Sequence, residues 1–126
     1  MRVGTDLVAV ADVRASVARF ADRYLERVYT PDELRDCRLP DGGHDAERLA
    51  GRFAAKEAAL KALRAGDAAI PWTAVEVARH PDGAPRMRLS GTAAALADRD
   101  GLGELAVSLA HEGGFATAVV VAGGRA

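Results

Sequence analysis

Residues 51–63, Gly-Arg-Phe-Ala-Ala-Lys-Glu-Ala-Ala-Leu-Lys-Ala-Leu, leave the backbone little choice. Alanine, leucine, lysine and glutamate dominate, with no proline and no β-branched residue, so propensity alone makes the stretch helical. At ~100° per residue, Leu49, Phe53, Leu60 and Leu63 fall on one apolar stripe. Glu57 lies beside that stripe, with Ala50, Ala54 and Lys61 as its near neighbours on the helix surface. Small alanines let a second backbone approach closely, so this helix is expected to carry Glu57 towards the body of the protein. Lys56 points into the apolar stripe itself. It either snorkels to water or reaches a ligand or a partner subunit.

The elements on either side follow from local signals. Residues 2–8 read as an opening strand with Val3, Thr5 and Leu7 on one face and Asp6 on the other. Residues 11–28 are helical, with an irregular apolar face of Val13, Val17, Phe20 and Leu25. Thr30-Pro31-Asp32-Glu33 marks a helix start: a threonine cap, proline at the first position and a glutamate that completes a capping box. That helix stops before Pro40, and 39–44 is a loop. Asp45 caps the central helix, which runs to about Leu63, with Gly66 as a stop soon after. From Trp72 to Arg79 the period changes to two, and Pro85 to Ser90 returns after a His80-Pro81-Asp82-Gly83 turn, which gives a hairpin. Ser90 or Thr92 caps a short helix to Asp100, and strands at 105–110 and 115–122 flank Glu112-Gly113-Gly114. The order β-α-α-α-β-β-α-β-β is an α+β fold, a mostly antiparallel sheet packed against a long central helix.

With 126 residues the chain is expected to be one domain, 1–126, whose core needs no staples. A net charge of −1 gives no general attraction to nucleic acid or anionic membrane, and few aromatic residues argue against stacked-base recognition. Cys37 is the single cysteine, so no internal disulfide forms, which fits a reducing cytoplasm. No run reaches transmembrane length and no leader pattern is visible, so a cytoplasmic location is expected.

Two carboxylates carry the chemical interest. Asp6 sits in an otherwise apolar strand, where a lone buried charge costs several kcal/mol; it must end in water, pair with a cation or bind a metal. Glu57 alone is accounted for by an exposed i,i+4 pair with Lys61, worth ~0.3–0.5 kcal/mol. Together, a strand aspartate and a helix glutamate beside a basic residue suit Mg²⁺ with a phosphate ligand, since that ion needs one or two carboxylates and otherwise takes waters and phosphate oxygens. Arg52 and Lys56, one turn apart, form a natural anion-binding pair. The three histidines lack metal-site spacing, and no phosphate-loop or G-x-G-x-x-G motif occurs.

Val3-Gly4-Thr5-Asp6-Leu7 followed by the 51–63 stretch resembles the signature of the 4′-phosphopantetheinyl transferase superfamily, of the short holo-(acyl carrier protein) synthase type. Weaker matches extend along the chain: Thr30 to Leu34, Gly83-Ala84-Pro85-Arg86, Val107 to His111 and Ala116 to Val120. The resemblance implies transfer of the phosphopantetheine arm of coenzyme A to a carrier-protein serine in fatty acid or polyketide synthesis, with release of adenosine 3′,5′-bisphosphate. It implies that Asp6 and Glu57 hold Mg²⁺, that Glu57 takes the serine proton or shares that role with Asp6, and that Lys61 steadies the phosphates or Glu57. Arg52 and Lys56 are the implied coenzyme A phosphate contacts. Gly83, Pro85, Arg86 and His111 are expected to line the nucleotide site, from a neighbouring subunit. A homotrimer with sites at its interfaces is implied as well, with an acyl carrier protein and coenzyme A as partners, and no nucleic acid or membrane.

The sequence departs from the family pattern twice. An acidic residue three positions beyond the aspartate and an arginine six beyond are replaced by Ala9 and Asp12, for which Arg14, Arg19 or Arg23 on the same helical segment can compensate. Gly-Thr-Gly after the central helix is replaced by Arg64-Ala65-Gly66. A non-catalytic binder of carrier protein or coenzyme A is the second reading, favoured by Asp12, and a small Mg²⁺-dependent phosphohydrolase is a third.

Overall fold

The computed structural model describes residues 1–125; Ala126, the last residue of the expected domain, lies outside them. The chain runs β1 (Arg2–Ala9), α1 (Val10–Phe20), α2 (Asp22–Val28), α3 (Pro31–Asp36), α4 (Ala46–Ala62), β2 (Val75–Arg79), β3 (Pro85–Leu89), α5 (Gly91–Arg99), β4 (Leu102–Glu112) and β5 (Phe115–Gly124). β1, β5 and β4 form an antiparallel sheet in that order, and β2 and β3 form a separate hairpin. The fold is α+β with antiparallel sheets, as expected. One helix more is present, because the segment 11–28 breaks at Ala21, a non-glycine residue at φ +48° whose N–H closes α1 on the Val17 carbonyl. Nothing in the local sequence signals that break. Residues Trp72–Ala74 form a single 3₁₀ turn before β2 rather than its first residues.

α4 packs on β1 and β5 through side chains that are nearly all methyl groups. Ala50, Ala54, Ala55, Ala58, Ala59 and Ala62 are fully buried on α4, and Gly4, Ala116, Ala118 and Ala122 are buried on the two strands it packs against. Gly4 fixes the separation: a Cβ built there would stand 1.9 Å from the Ala58 carbonyl oxygen. No side chain larger than hydrogen fits.

That contact decides which face of β1 is inward. Gly4, Asp6 and Val8 face α4, whereas Val3 and Leu7 are 66% and 65% exposed on the outer face, with Phe115 and Val119 of β5 beside them. Asp45 caps α4 through the N–H groups of Glu47 and Arg48. At the other end, the Ala65 N–H reaches the Leu60 carbonyl and the Arg64 N–H reaches Lys61, a Schellman closure with Arg64 at φ +54° where glycine is usual. Arg2 donates to the Leu63 carbonyl, a cation at the negative end of the helix dipole. No helix among the described residues is long and apolar enough to cross a membrane.

Candidate active site

Asp6 reaches the flank of α4 because the inner face of β1 is the even-numbered one. Its backbone carbonyl accepts from Thr117 Oγ1 at 2.8 Å, which ties this point of β1 to β5. Lys61 Nζ donates to the Thr5 carbonyl at 2.9 Å and to Asp6 Oδ1 at 3.2 Å. Lys61 is thus paired with Asp6 rather than with Glu57, one turn before it. Glu57 is half-buried, and its carboxyl is held above the ordinary 4.5, first by burial and then by the charge of Asp6, against an opposing pull from Lys61. The two carboxylates line one cavity of about 310 Å³ with Asp12, Ser16, Tyr24 and Phe53. Glu57 and Lys61 also line a second, of about 420 Å³, with Arg64 and the segment to Ile70. Glu57 therefore stands between two openings, one bounded by α1 and one by the chain that leaves α4.

Among the described residues no cluster of three or more histidine, cysteine, aspartate or glutamate side chains could cage a metal. Two carboxylates on one cavity wall, with room beside them, still fit Mg²⁺, which takes most of its shell from water and phosphate. The neighbouring negative charge of Asp6 already penalises ionised Glu57, and a cation between them relieves that penalty.

Arg52 lies on the other flank of α4, ~140° around the helix from Glu57. It is 4% exposed, and it lines a cavity of about 290 Å³ with Arg79, Pro85 and Ser108. Arg52 Nη2 and Arg79 Nε both approach Asp36 Oδ2, at 3.4 and 3.5 Å, while Arg52 Nε and Arg86 Nε are buried without a partner among the described residues. Gly83 sits at φ +91° in the hairpin turn and accepts from Arg79 Nη1 at 3.0 Å. His111, at the end of β4, lies 3.2 Å from Glu47 Oε1 through Nδ1. Asp6 lies on the β1 edge of the three-stranded sheet and the cavity of Arg52 against its β4 edge, two strand spacings or about 10 Å across.

Lys56 corrects the expectation of a phosphate contact. It is fully buried, and its three donors are spent on Glu33 Oε1 at 2.6 Å and on the carbonyls of Trp72 and Val75, both at 3.1 Å. Glu33 in turn accepts from the N–H groups of Thr30 and Val77. The capping-box glutamate of α3 is thus also the counter-ion that binds α3, α4 and the start of β2 together. A lysine directed into an apolar stripe must find partners for its charge, and here Glu33 and two carbonyls of the same chain supply them. Arg79, Asp36, Ser16 and Tyr24 carried no comparable signal; only the fold brings Ser16 and Tyr24 to the cavity of Glu57, Arg79 to that of Arg52, and Asp36 to both arginines.

The cations of the first helices stand in the open. Arg19 and Arg23 lie over the ring of Phe20 at 5.2 and 5.7 Å, and Phe20 is 41% exposed. Asp12 lies in the cavity of Asp6 and Glu57, so the departure from the family pattern falls at the mouth of the acidic site.

The chain is similar to the holo-[acyl-carrier-protein] synthase of Chloroflexus aurantiacus, 45% identical over 130 aligned positions that cover 94% of this chain and 95% of the relative. It is 41% identical to that of Koribacter versatilis, with 94% of each chain covered. The solved structure of the Helicobacter pylori holo-[acyl-carrier-protein] synthase in complex with coenzyme A superposes with a TM-score of 0.82 at 34% identity, covering 96% of this chain and 99% of that one. With Asp6 and Glu57 on one cavity wall and a family model that matches residues 2–120, the chain belongs to the 4′-phosphopantetheinyl transferase superfamily.

Proposed function

We propose that this chain is a holo-[acyl-carrier-protein] synthase, which moves the 4′-phosphopantetheine arm of coenzyme A to a serine of an acyl carrier protein. The observation that carries the reading is the position of Glu57, half-buried beside Asp6 and open to a cavity on each side. The serine enters along α1, and the arm of coenzyme A lies along the chain that leaves α4. Glu57 takes the serine proton, because it is the carboxylate that faces both openings. Lys61 holds Asp6 in place and supplies positive charge where the pyrophosphate binds. Asp6 and Glu57 would hold Mg²⁺, which when bound offsets charge on the pyrophosphate oxygens.

The nucleotide end of coenzyme A is received by Arg52, Arg86, Pro85, Gly83 and His111 of a neighbouring subunit in a homotrimer. Two features support this. The basic set of one chain lies on the wrong flank of α4 to serve its own acidic pair. The outer sheet face also presents Val3, Leu7, Phe115 and Val119 to solvent in the single chain, an apolar patch of the kind that marks an interface. The carrier protein docks on α1 and α2, where Arg14, Arg19, Arg23 and Phe20 offer cations around an apolar centre to an acidic helix.

Mass spectrometry of an apo carrier protein incubated with this chain, coenzyme A and Mg²⁺ tests the function. A gain of one phosphopantetheine, lost in Glu57→Ala, is the expected result; binding without gain refutes it. Mixing inactive Asp6→Ala with inactive Arg86→Ala tests the shared site. Random exchange of subunits restores about a quarter of wild-type activity if each site draws on two chains, and none if it draws on one.

A further inference from the structure

Lys61 has two carboxylates near it and is bonded to the one that lies far away in the chain. Its ammonium donates to Asp6 Oδ1 at 3.2 Å and to the Thr5 carbonyl at 2.9 Å, whereas Glu57, one turn before it on α4, has no ion pair among the described residues. The lysine side chain is 54% exposed and that of Asp6 19%, and Asp6 is also fixed by the register of β1 on β5, so the lysine is the member of the pair that can leave. The cavities divide in the same way. Lys61 lines the opening that leads to Ala68 and Ile70, Asp6 lines the one bounded by α1, and Glu57 lines both. The ammonium of Lys61 therefore reaches from one cavity to a carboxylate of the other.

We infer that Lys61 is an exchangeable counter-ion of Asp6, a positioning residue that gives this carboxylate up to a divalent cation and turns to a phosphate of the donor. The inference rests on the transferase reading above, with Mg²⁺ at Asp6 and Glu57. A dication and an ammonium about 6 Å apart repel each other, and in surroundings near water this costs roughly tenfold in affinity. The pair to be broken is exposed and so contributes little to stability. The lysine stem is flexible, and a phosphate in the neighbouring cavity presents an anion to the departing ammonium. Cation and donor consequently bind with positive coupling, each easing the entry of the other. Lys61 passes between them without a covalent step.

Mn²⁺, whose unbound fraction is read by electron paramagnetic resonance, is the probe. It is titrated into the whole chain with and without coenzyme A, in the absence of carrier protein, and the Mn²⁺ held by coenzyme A alone is subtracted. Without coenzyme A, Lys61→Met is expected to bind Mn²⁺ roughly three- to tenfold more tightly than wild type, whereas Lys61→Arg, which keeps the charge, binds it as wild type does. With a chelator in place of the metal, Lys61→Met should bind coenzyme A about tenfold more weakly. Coenzyme A should also tighten Mn²⁺ binding more in wild type than in Lys61→Met, which has no lysine to release. Lys61→Gln repeats each measurement with a polar, uncharged side chain. A lysine that only fixes Asp6 gives the opposite sign: Mn²⁺ binding in both neutral variants that equals or falls below that of wild type overturns the exchange and leaves the transferase intact. Failure of the wild type to modify a carrier protein refutes the transferase reading and the exchange with it.

Discussion

Replacing Gly4 with alanine tests the contact on which the acidic pair depends. The new Cβ would lie 1.9 Å from the Ala58 carbonyl oxygen and 2.8 Å from the Ala62 nitrogen, whereas ordinary contact begins near 3.4 Å. The shortfall of 3.4 − 1.9 = 1.5 Å must be met by moving β1 or α4, because both obstructing atoms are backbone. Overpacking of this kind costs about 1–3 kcal/mol, and rigid backbone puts the cost at the upper end, roughly 10 °C in Tm. The displacement also separates Asp6 on β1 from Glu57 and Lys61 on α4. A misplacement near 1 Å costs ~10²-fold in rate, so kcat should fall by about that factor in the protein that remains folded. Gly51→Ala is the control. A Cβ there meets nothing within 4 Å, so alanine should gain about 0.5–1 kcal/mol by helix propensity and leave the rate unaltered. Thermal melts of both variants and the carrier-protein assay at equal folded concentration decide the matter. A Gly4→Ala protein with wild-type Tm and kcat would refute the claim that this close approach positions the pair.

Three further outcomes are expected. Arg64→Gly relieves a left-handed residue at the end of α4 and should raise Tm by a few degrees, about 0.5–1 kcal/mol after the extra chain entropy of glycine. Lys56→Met leaves the Glu33 carboxylate buried and unpaired, a loss of about 3–5 kcal/mol seen in denaturant melts, part of which Glu33→Gln in the same chain restores; a raised KM for coenzyme A at unchanged stability would instead make Lys56 a ligand contact. Glu57 has its folded pKa raised above 4.5, so its favourable contribution is fully present below that value and is lost as pH rises through the folded pKa. In metal-free buffer Glu57→Gln should therefore melt higher than wild type at pH 7, with the gap closing towards pH 4.5. Adding Mg²⁺ on top of coenzyme A should raise the Tm of wild type further and that of the variant much less.

What could be read from the sequence was whatever depends on neighbours in the chain. The capping box at Thr30, the Asp45 cap, the helicity of 46–62 and the turn at Gly83 are settled by residues within a turn of each other, and they stand as expected. Asp6 and Glu57 were legible only when taken together: Glu57 alone has a local partner in Lys61, whereas Asp6, in its apolar strand, has none. The face that β1 turns inward was not legible. Alternation of Val3, Thr5 and Leu7 defines a face but not its direction, and the direction follows from Gly4 meeting Ala58 across the fold. Lys56 shows the same limit: its angle on the helix is local, and the carboxylate that answers it lies 23 residues earlier. Arg79 and Asp36 meet beside Arg52 only once the hairpin folds over α4.

The seam between α4 and the sheet has a consequence for how this protein tolerates change. Six fully buried alanines face a glycine and three more alanines, so the layer between helix and strands is one methyl group deep except where Val120 stands beside Gly4. Along that seam the selected quantity is volume, not hydrophobicity. A saturation scan should find serine accepted at positions such as Ala54 and Ala118, and valine or leucine rejected there, the reverse of the order at Leu49 or Val120. Random drift through larger apolar residues is closed to this helix, which keeps the distance from Asp6 to Glu57 fixed while the surface around them varies.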